Sequence, residues 1–478
     1  MTMTRTADIV AKLWTLCNDL RDDGVTYQQY VTELTYLLFL KMAAETGEEE
    51  KLLPEGYRWQ DLDEKKGVEQ YDFYREMLIR LGGKAPSRQV RVVYGNASTS
   101  IRHPRVLTKL VTDIDALDWF DARTEGLGDL YEGLLEKNST ESKRGAGQYF
   151  TPRPLIDSMI ALVKPQPGEV VQDPALGTAG FLVATHRYIC EKTNDLYDLS
   201  TEKQNTQLHN AYVGMELVPD THRLAVMNAL LHGFTGDLRL GNTLTSDGAR
   251  LPSADVILTN PPFGTKTGGG TDREDFTHRT SNKQFAYVQH IYRTLRPGGR
   301  AAVVLPDNVL YDAQARPIRT DLLDKCNVHT ILRLPEGLFY AQSVKANVLF
   351  LYRGHDDTGN TQQTWIYDLR SGVPSFGRRN VLSRAFFADF EREFGDDPYG
   401  KSPRTDQGPR GRFRRFSRED IARQDDSLHF PWSVSNGSEE DVTDADPISV
   451  IEDMTKSLQQ AMNDLEALRA IVDGEVRQ

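Results

Sequence analysis

At 478 residues the chain is longer than one hydrophobic core usually serves, so two or more packed units are expected. Apolar residues at 39% and charged residues at 26% fit a soluble globular protein, and a formal net charge of −12 excludes a surface that is basic throughout, as phosphate contacts would require. Cys17, Cys190 and Cys326 lack C-x-x-C spacing, which excludes a disulfide framework and a cysteine-based zinc site; no metal is expected.

The opening "MTMTRTADIVAKLW" lacks the apolar core and cleavage site of a signal peptide, and no run of about 18 apolar residues follows, so a cytoplasmic protein without a membrane segment is expected. Ile9, Leu13, Leu16 and Leu20, then Val31, Leu34, Leu37 and Leu38, recur at helical spacing around the breaker "DDGVT". With "YDFYREMLIRLGG" and "VLTKLVTDIDALDWF" they predict an N-terminal helical domain over residues 1–137. Between residues 138 and 370 the pattern changes to β-rich runs separated mostly by helix-length segments: "EVVQD", "AYVGMEL", "DLRLGN", "ADVILTN", "RAAVVLP", "VHTILRLP" and "NVLFLYR". Seven such strands predict an α/β domain with a largely parallel sheet, in which the short link between the last two allows one to run antiparallel. Ligands in such sheets sit beyond the carboxyl ends of the strands.

Residues 371–446 read as a loop-rich basic region. Its densest stretch, with Arg410, Arg412, Arg414 and Arg415 around Phe413, reads either as a solvated loop or as a phosphate-contacting one. In residues 447–478, Ile451, Met454, Leu458, Met462, Leu465, Leu468 and Val472 follow three-four spacing. That spacing predicts a C-terminal helical arm, either folded back on its own domain or, the favoured reading, docked on a partner.

Three constellations carry chemistry. In "VVQDPALGTAGFL" a strand meets a small-residue loop and a helix start, where Gly177, Ala179 and Gly180 let backbone approach a ligand. Glu216 closes the next strand, where a carboxylate can accept two hydrogen bonds from a ribose diol. It lies further from Asp173 than the usual ~20 residues, so the polar stretch "EKTNDLYDLSTEKQNTQ" must be an insertion. "TNPPFG" ends the fourth strand. The Asn260 amide oxygen and the Pro261 carbonyl can accept both hydrogens of an exocyclic amino group, Pro261 and Pro262 stiffen the backbone, and Phe263 offers a stacking face for an extruded base. His232 and His290 are read as packing residues, not as bases. The glycines of "GTKTGGGTDREDF" suggest a loop that closes over that base.

"DPALGTAGFL", "GMEL", "GNTL" and "TNPPFG", with "GQYFTPRPLI" upstream, resemble in kind and order the S-adenosylmethionine-dependent amino-methyltransferases of DNA, and most of all the modification subunit of type I restriction-modification systems. The likeness covers nearly the whole chain, and it implies a Rossmann-like, seven-stranded methyltransferase domain acting on N6 of adenine. By that resemblance Gln148, Tyr149, Phe150, Thr151, Pro152 and Arg153 close over the methionine end of the cofactor; Asp173, Gly177, Thr178, Ala179 and Gly180 form the cofactor loop. Glu216 binds the ribose, Asn242 the cofactor adenine, and Asn260, Pro261, Pro262 and Phe263 form the catalytic tetrapeptide. Ala179 departs from the glycine that many relatives carry. The resemblance further implies double-stranded DNA and a separate specificity subunit embraced by two copies of this chain; whether a restriction or translocase subunit joins them stays open. N4-cytosine, RNA or protein-glutamine methylation, and a non-catalytic scaffold, are the alternatives at this level.

Overall fold

The computed structural model describes residues 9–16, 25–117, 119, 128, 131–136, 151–264, 273–339, 345–371, 373, 376 and 382–432. The C-terminal arm, the glycine-rich stretch 265–272 and Gln148, Tyr149 and Phe150 lie outside them.

The N-terminal region is helical. Helix α1 (Tyr27–Thr46) starts at a capping box in which Thr26 and Gln29 satisfy each other's backbone donors, and it ends on Gly47 in the left-handed region. Helices α2 (Gly67–Lys84) and α3 (Pro104–Asp115) turn their apolar stripes toward it. Helix α4 (Arg153–Val163) then leads into the sheet.

Strand β1 (Val171–Asp173) is followed by α5 (Gly180–Lys192), α6 (Thr201–His209), β2 (Tyr212–Glu216), α7 (Pro219–Leu231), β3 (Asp237–Leu240) and β4 (Ala254–Thr259). Then come α8 (Lys283–Thr294), β5 (Leu295–Pro306), α9 (Arg316–Lys325), β6 (Cys326–Arg333), β7 (Ala346–Arg353) and β8 (Gln363–Asp368). Helix α10 (Ala388–Phe394) and strand β9 (Phe413–Ser417) follow β8.

All seven strands expected from sequence are present, and the sheet carries two more, in the order β3-β2-β1-β4-β5-β7-β6-β8-β9. Strand β7 runs antiparallel to both β5 and β6, as the short link before it allowed. Strand β9 does not stand out in the sequence, because it is an edge strand whose arginines mask its two buried rings, Phe413 and Phe416. Two of the arginines in that basic stretch are spent on the protein itself. Arg412 donates to the carbonyls of Asp368 and Ser371, and Arg414 lies over Phe416 and Trp432, while Arg410 and Arg415 stay exposed.

Helix α7 joins the two regions. Leu224, Val226 and Met227 belong to the core of the N-terminal helices, and Ala225 and Ala229 to the core beneath the sheet. Buried on opposite faces, it shows no polar stripe. Arg223 locks the junction, donating to Asp220 and to the carbonyl of Gly95.

Candidate active site

The strand order reverses between β1 and β4, and at this switch point the carboxyl ends of neighbouring strands splay to leave a crevice. Asp173 ends β1 and Thr259 ends β4. The Thr259 hydroxyl donates to Asp173 Oδ1 at 2.7 Å, and the Ala175 N–H donates to the same oxygen at 3.0 Å. Burial pushes the Asp173 carboxyl up to about 7 against the pull of these two bonds.

The loop from Asp173 to Gly180 requires two residues in the left-handed region, Gly177 (φ 54°) and Ala179 (φ 67°). Ala179 is fully buried and caps α5, so the departure from glycine is accommodated at the cost of a strained backbone. The loop sits directly against β2. A side chain on Gly214 would meet Leu176 at 2.6 Å, so glycine there is what lets the two segments touch.

Glu216, at the end of β2, accepts from the N–H of Gly177 at 2.9 Å and from that of Val218 at 2.8 Å. Its carboxyl is nevertheless raised by burial. Helix α6 lies in the insertion that the wide spacing demanded. Asn242 follows β3; its Oδ1 accepts from the Leu244 N–H at 2.9 Å in a local turn, and the neighbouring Thr243 hydroxyl donates to the Pro174 carbonyl, tying this segment to the loop.

Asn260 projects from the end of β4 and is only 9% exposed. Its Nδ2 donates to the Thr151 hydroxyl at 3.0 Å, joining residues 109 positions apart. The amide oxygen is thereby left for another donor. Pro261 is buried beside it, and the Phe263 ring is half-buried, edge-on to Phe339 at 6.3 Å between centroids. Pro152 caps the start of α4, and Arg153 pairs with Glu132 and, at 3.7 Å, with Asp157.

A cavity of about 270 Å³ gathers Thr151, Arg153, Asp173, Thr178, Gly180 and Asn260 in its walls. Glu216, Asn242 and Phe263 are not among its lining residues. The charged and polar wall residues Glu132, Glu136, Asp157, Arg187 and Asn228 come from no motif. Asn228 could have been suspected as the lone amide inside the apolar run "LAVMNALL".

The two histidines set aside from sequence are held in packing roles. His290 is fully buried between Gln172 and Arg273, with its pKa pushed down to about 3 by burial, and His232 bonds through Nδ1 to the Asn228 carbonyl oxygen. Arg273, just past residues 265–272, donates to the Thr243 carbonyl at 2.8 Å.

Residues 122–441 match the family model described as N-6 DNA Methylase, and residues 9–114 match the HsdM N-terminal domain. The chain is 49% identical to the methylase subunit of the type I restriction enzyme EcoKI of Escherichia coli (strain K12), over 96% of this chain and 94% of that one. It is 48% identical, with the same coverage, to the StySPI methylase subunit of Salmonella potsdam. The crystal structure of the EcoKI M protein aligns with a TM-score of 0.58 at 46% identity, covering 97% of this chain and 96% of that chain. With the methyltransferase strand order, the Asn-Pro-Pro-Phe corner and the helical N-terminal region all in one chain, the protein belongs to the N-6 DNA methylase family, among the methylase subunits of type I restriction enzymes.

Proposed function

We propose that this chain transfers the methyl group of S-adenosylmethionine to N6 of adenine in double-stranded DNA, at sites chosen by a separate specificity subunit. The observation that carries the reading is the Thr151–Asn260 hydrogen bond, which ties the catalytic corner to the segment assigned to the cofactor's methionine end.

The donor set fits the cofactor. Acidic side chains at the cavity wall, Glu132, Asp157 and Asp173, suit a ligand that carries positive charge, and the loop of Gly177, Thr178, Ala179 and Gly180 lets backbone approach it closely. Glu216 would hold the ribose, Asn242 would face the adenine, and the segment Gln148, Tyr149, Phe150, Thr151, Pro152 and Arg153 would cover the methionine end. When bound, S-adenosylmethionine supplies an electrophilic methyl group on its sulfonium.

The chain's own work is positioning. Asn260 Oδ1 and the Pro261 carbonyl accept the two hydrogens of the target amino group, which draws its lone pair out of conjugation with the ring and aims it at the methyl carbon. Pro261 and Pro262 keep these acceptors from moving, and Phe263 stacks on the extruded base. Accepting groups fixed beforehand need no reorganisation as charge develops on the nitrogen.

The specificity subunit is expected to bind two copies of this chain, with residues 447–478 as the candidate contact. Among the described residues no helix is long and apolar enough to cross a membrane.

The test is transfer of radiolabelled methyl from S-adenosylmethionine to duplex DNA by the chain with its specificity subunit. Label in N6-methyladenine is expected with the native chain, and none when residues 447–478 are deleted, because the pair no longer assembles. Label in cytosine, RNA or protein would refute the reading, and unchanged assembly after the deletion would remove the arm from it.

A further inference from the structure

Asn228 sits in the middle of α7 and is fully buried. Its Nδ2 donates to the Thr178 carbonyl at 2.9 Å. A carbonyl oxygen only accepts, so this bond fixes which end of the amide faces the loop and which faces away. The other end, Oδ1, has no hydrogen-bond partner among the described residues. A buried amide oxygen without a donor is uncommon in a folded protein, because it has lost water and gained nothing in return.

The residue lines the same cavity as Thr178, Asp173 and Asn260. Carboxylates of Glu132, Glu136 and Asp157 share that wall with the guanidinium groups of Arg153 and Arg187. Both arginines approach Glu132, Arg153 in direct contact and Arg187 at 3.7 Å, so the charges there are already interleaved. A cavity that offers an amide acceptor, carboxylates and guanidinium groups together in its wall suits a zwitterion, which presents an ammonium and a carboxylate a few bonds apart.

We propose that Asn228 Oδ1 accepts a hydrogen bond from the ammonium group at the amino-acid end of the cofactor, within the negative field of Glu132, Glu136 and Asp157. The inference rests on the cofactor being S-adenosylmethionine. Asn228 then has two tasks: its nitrogen holds the loop that passes under the ligand, and its oxygen reads the ligand's charged end. A helix shared between the N-terminal core and the sheet core thus reaches the cofactor.

Two ligands separate these tasks. S-adenosylhomocysteine carries the ammonium and carboxylate; 5′-methylthioadenosine has neither. Affinities for both are measured by titration or displacement with the full-length chain, alongside thermal unfolding. Asn228→Ala removes both tasks, and it is expected to weaken S-adenosylhomocysteine about tenfold more than it weakens 5′-methylthioadenosine, the usual effect of losing a hydrogen bond to a charged group. Equal weakening of both ligands would assign Asn228 to loop support alone, and no weakening of either would remove it from the site; both overturn the proposal.

If Asn228→Ala does not fold, Glu136→Gln at the exposed rim carries the test. It is expected to weaken S-adenosylhomocysteine about threefold at low salt and to leave 5′-methylthioadenosine alone, and equal affinity for native and variant chains counts against the proposal. A native chain that binds neither ligand refutes the cofactor reading itself. One that binds both equally well keeps that reading and sinks this inference.

Discussion

Asn260 and Thr151 show how two short motifs become one device. Each is recognisable alone, in "TNPPFG" and "GQYFTPR", but their hydrogen bond spans 109 positions and no local pattern encodes it. If the bond orients the catalytic amide, Thr151→Val, which keeps the shape and deletes the acceptor, leaves a largely buried N–H without a partner. The expected result is a fall in kcat of about tenfold, one lost hydrogen bond's worth of barrier, with affinity for S-adenosylhomocysteine changed less than twofold. A weakened affinity at unchanged kcat would instead confine Thr151 to holding the cofactor. Of the other candidates, Asp173, Glu216 and the loop between them were legible only together with the motifs that follow, because a glycine-rich turn after a strand is by itself as often a packing turn. Asn228 was not, since a single amide in an apolar helical run reads the same whether it is satisfied inside the protein or waits for a ligand.

Helix α4 is held at both ends, and each end serves a different purpose. At its start, Pro152 and the adjoining Thr151 face the site. At its finish, Lys164 turns into the left-handed region and Arg300 of β5 reaches across to accept the role of cap, donating to the carbonyls of Val163 at 2.6 Å and Lys164 at 2.7 Å and to both oxygens of Glu169. A cation at the end of a helix also meets the negative pole of its dipole. Arg300 is nearly enclosed, at 4% side-chain exposure, whereas Glu169 keeps 24%, so loss of the pair leaves a carboxylate only partly able to rehydrate. Arg300→Met is expected to cost roughly 3 kcal/mol in urea unfolding, the usual effect of breaking a buried pair by removing one partner, and a change under about 0.5 kcal/mol would mean that the tether is idle. The helical and strand elements themselves were readable from apolar spacing, and β7 was foreseen as reversible from its short link. The arginine-rich β9 was not, because an edge strand carries charge where interior strands carry aliphatic residues; β8, interior and buried, is short and framed by the polar residues Gln363 and Asp368.

Across the whole molecule, one buried carboxyl gives stability a characteristic pH dependence. Asp173 titrates near 7 in the folded chain because of its burial, against about 4 when unfolded. Between those values the unfolded chain has released a proton that the folded chain still holds, so this group's contribution is fully present below about pH 4 and is lost as pH rises to about 7. In Asp173→Asn that loss is absent. The Tm of the variant relative to the native chain is expected to rise between pH 4 and 7 and then level off, whereas a relative fall over the same window would show that Asp173 is stabilised as the anion. The decisive measurement concerns the reaction, and it is modified-base sequencing of the host genome with the native chain and with Asn260→Ala. The expected result is N6-methyladenine at one split recognition sequence with the native chain and its disappearance with the variant, while the variant chain still folds and binds S-adenosylhomocysteine. Methylation that persists unchanged in Asn260→Ala would contradict the assignment of the Asn-Pro-Pro-Phe corner as the place where adenine N6 is methylated.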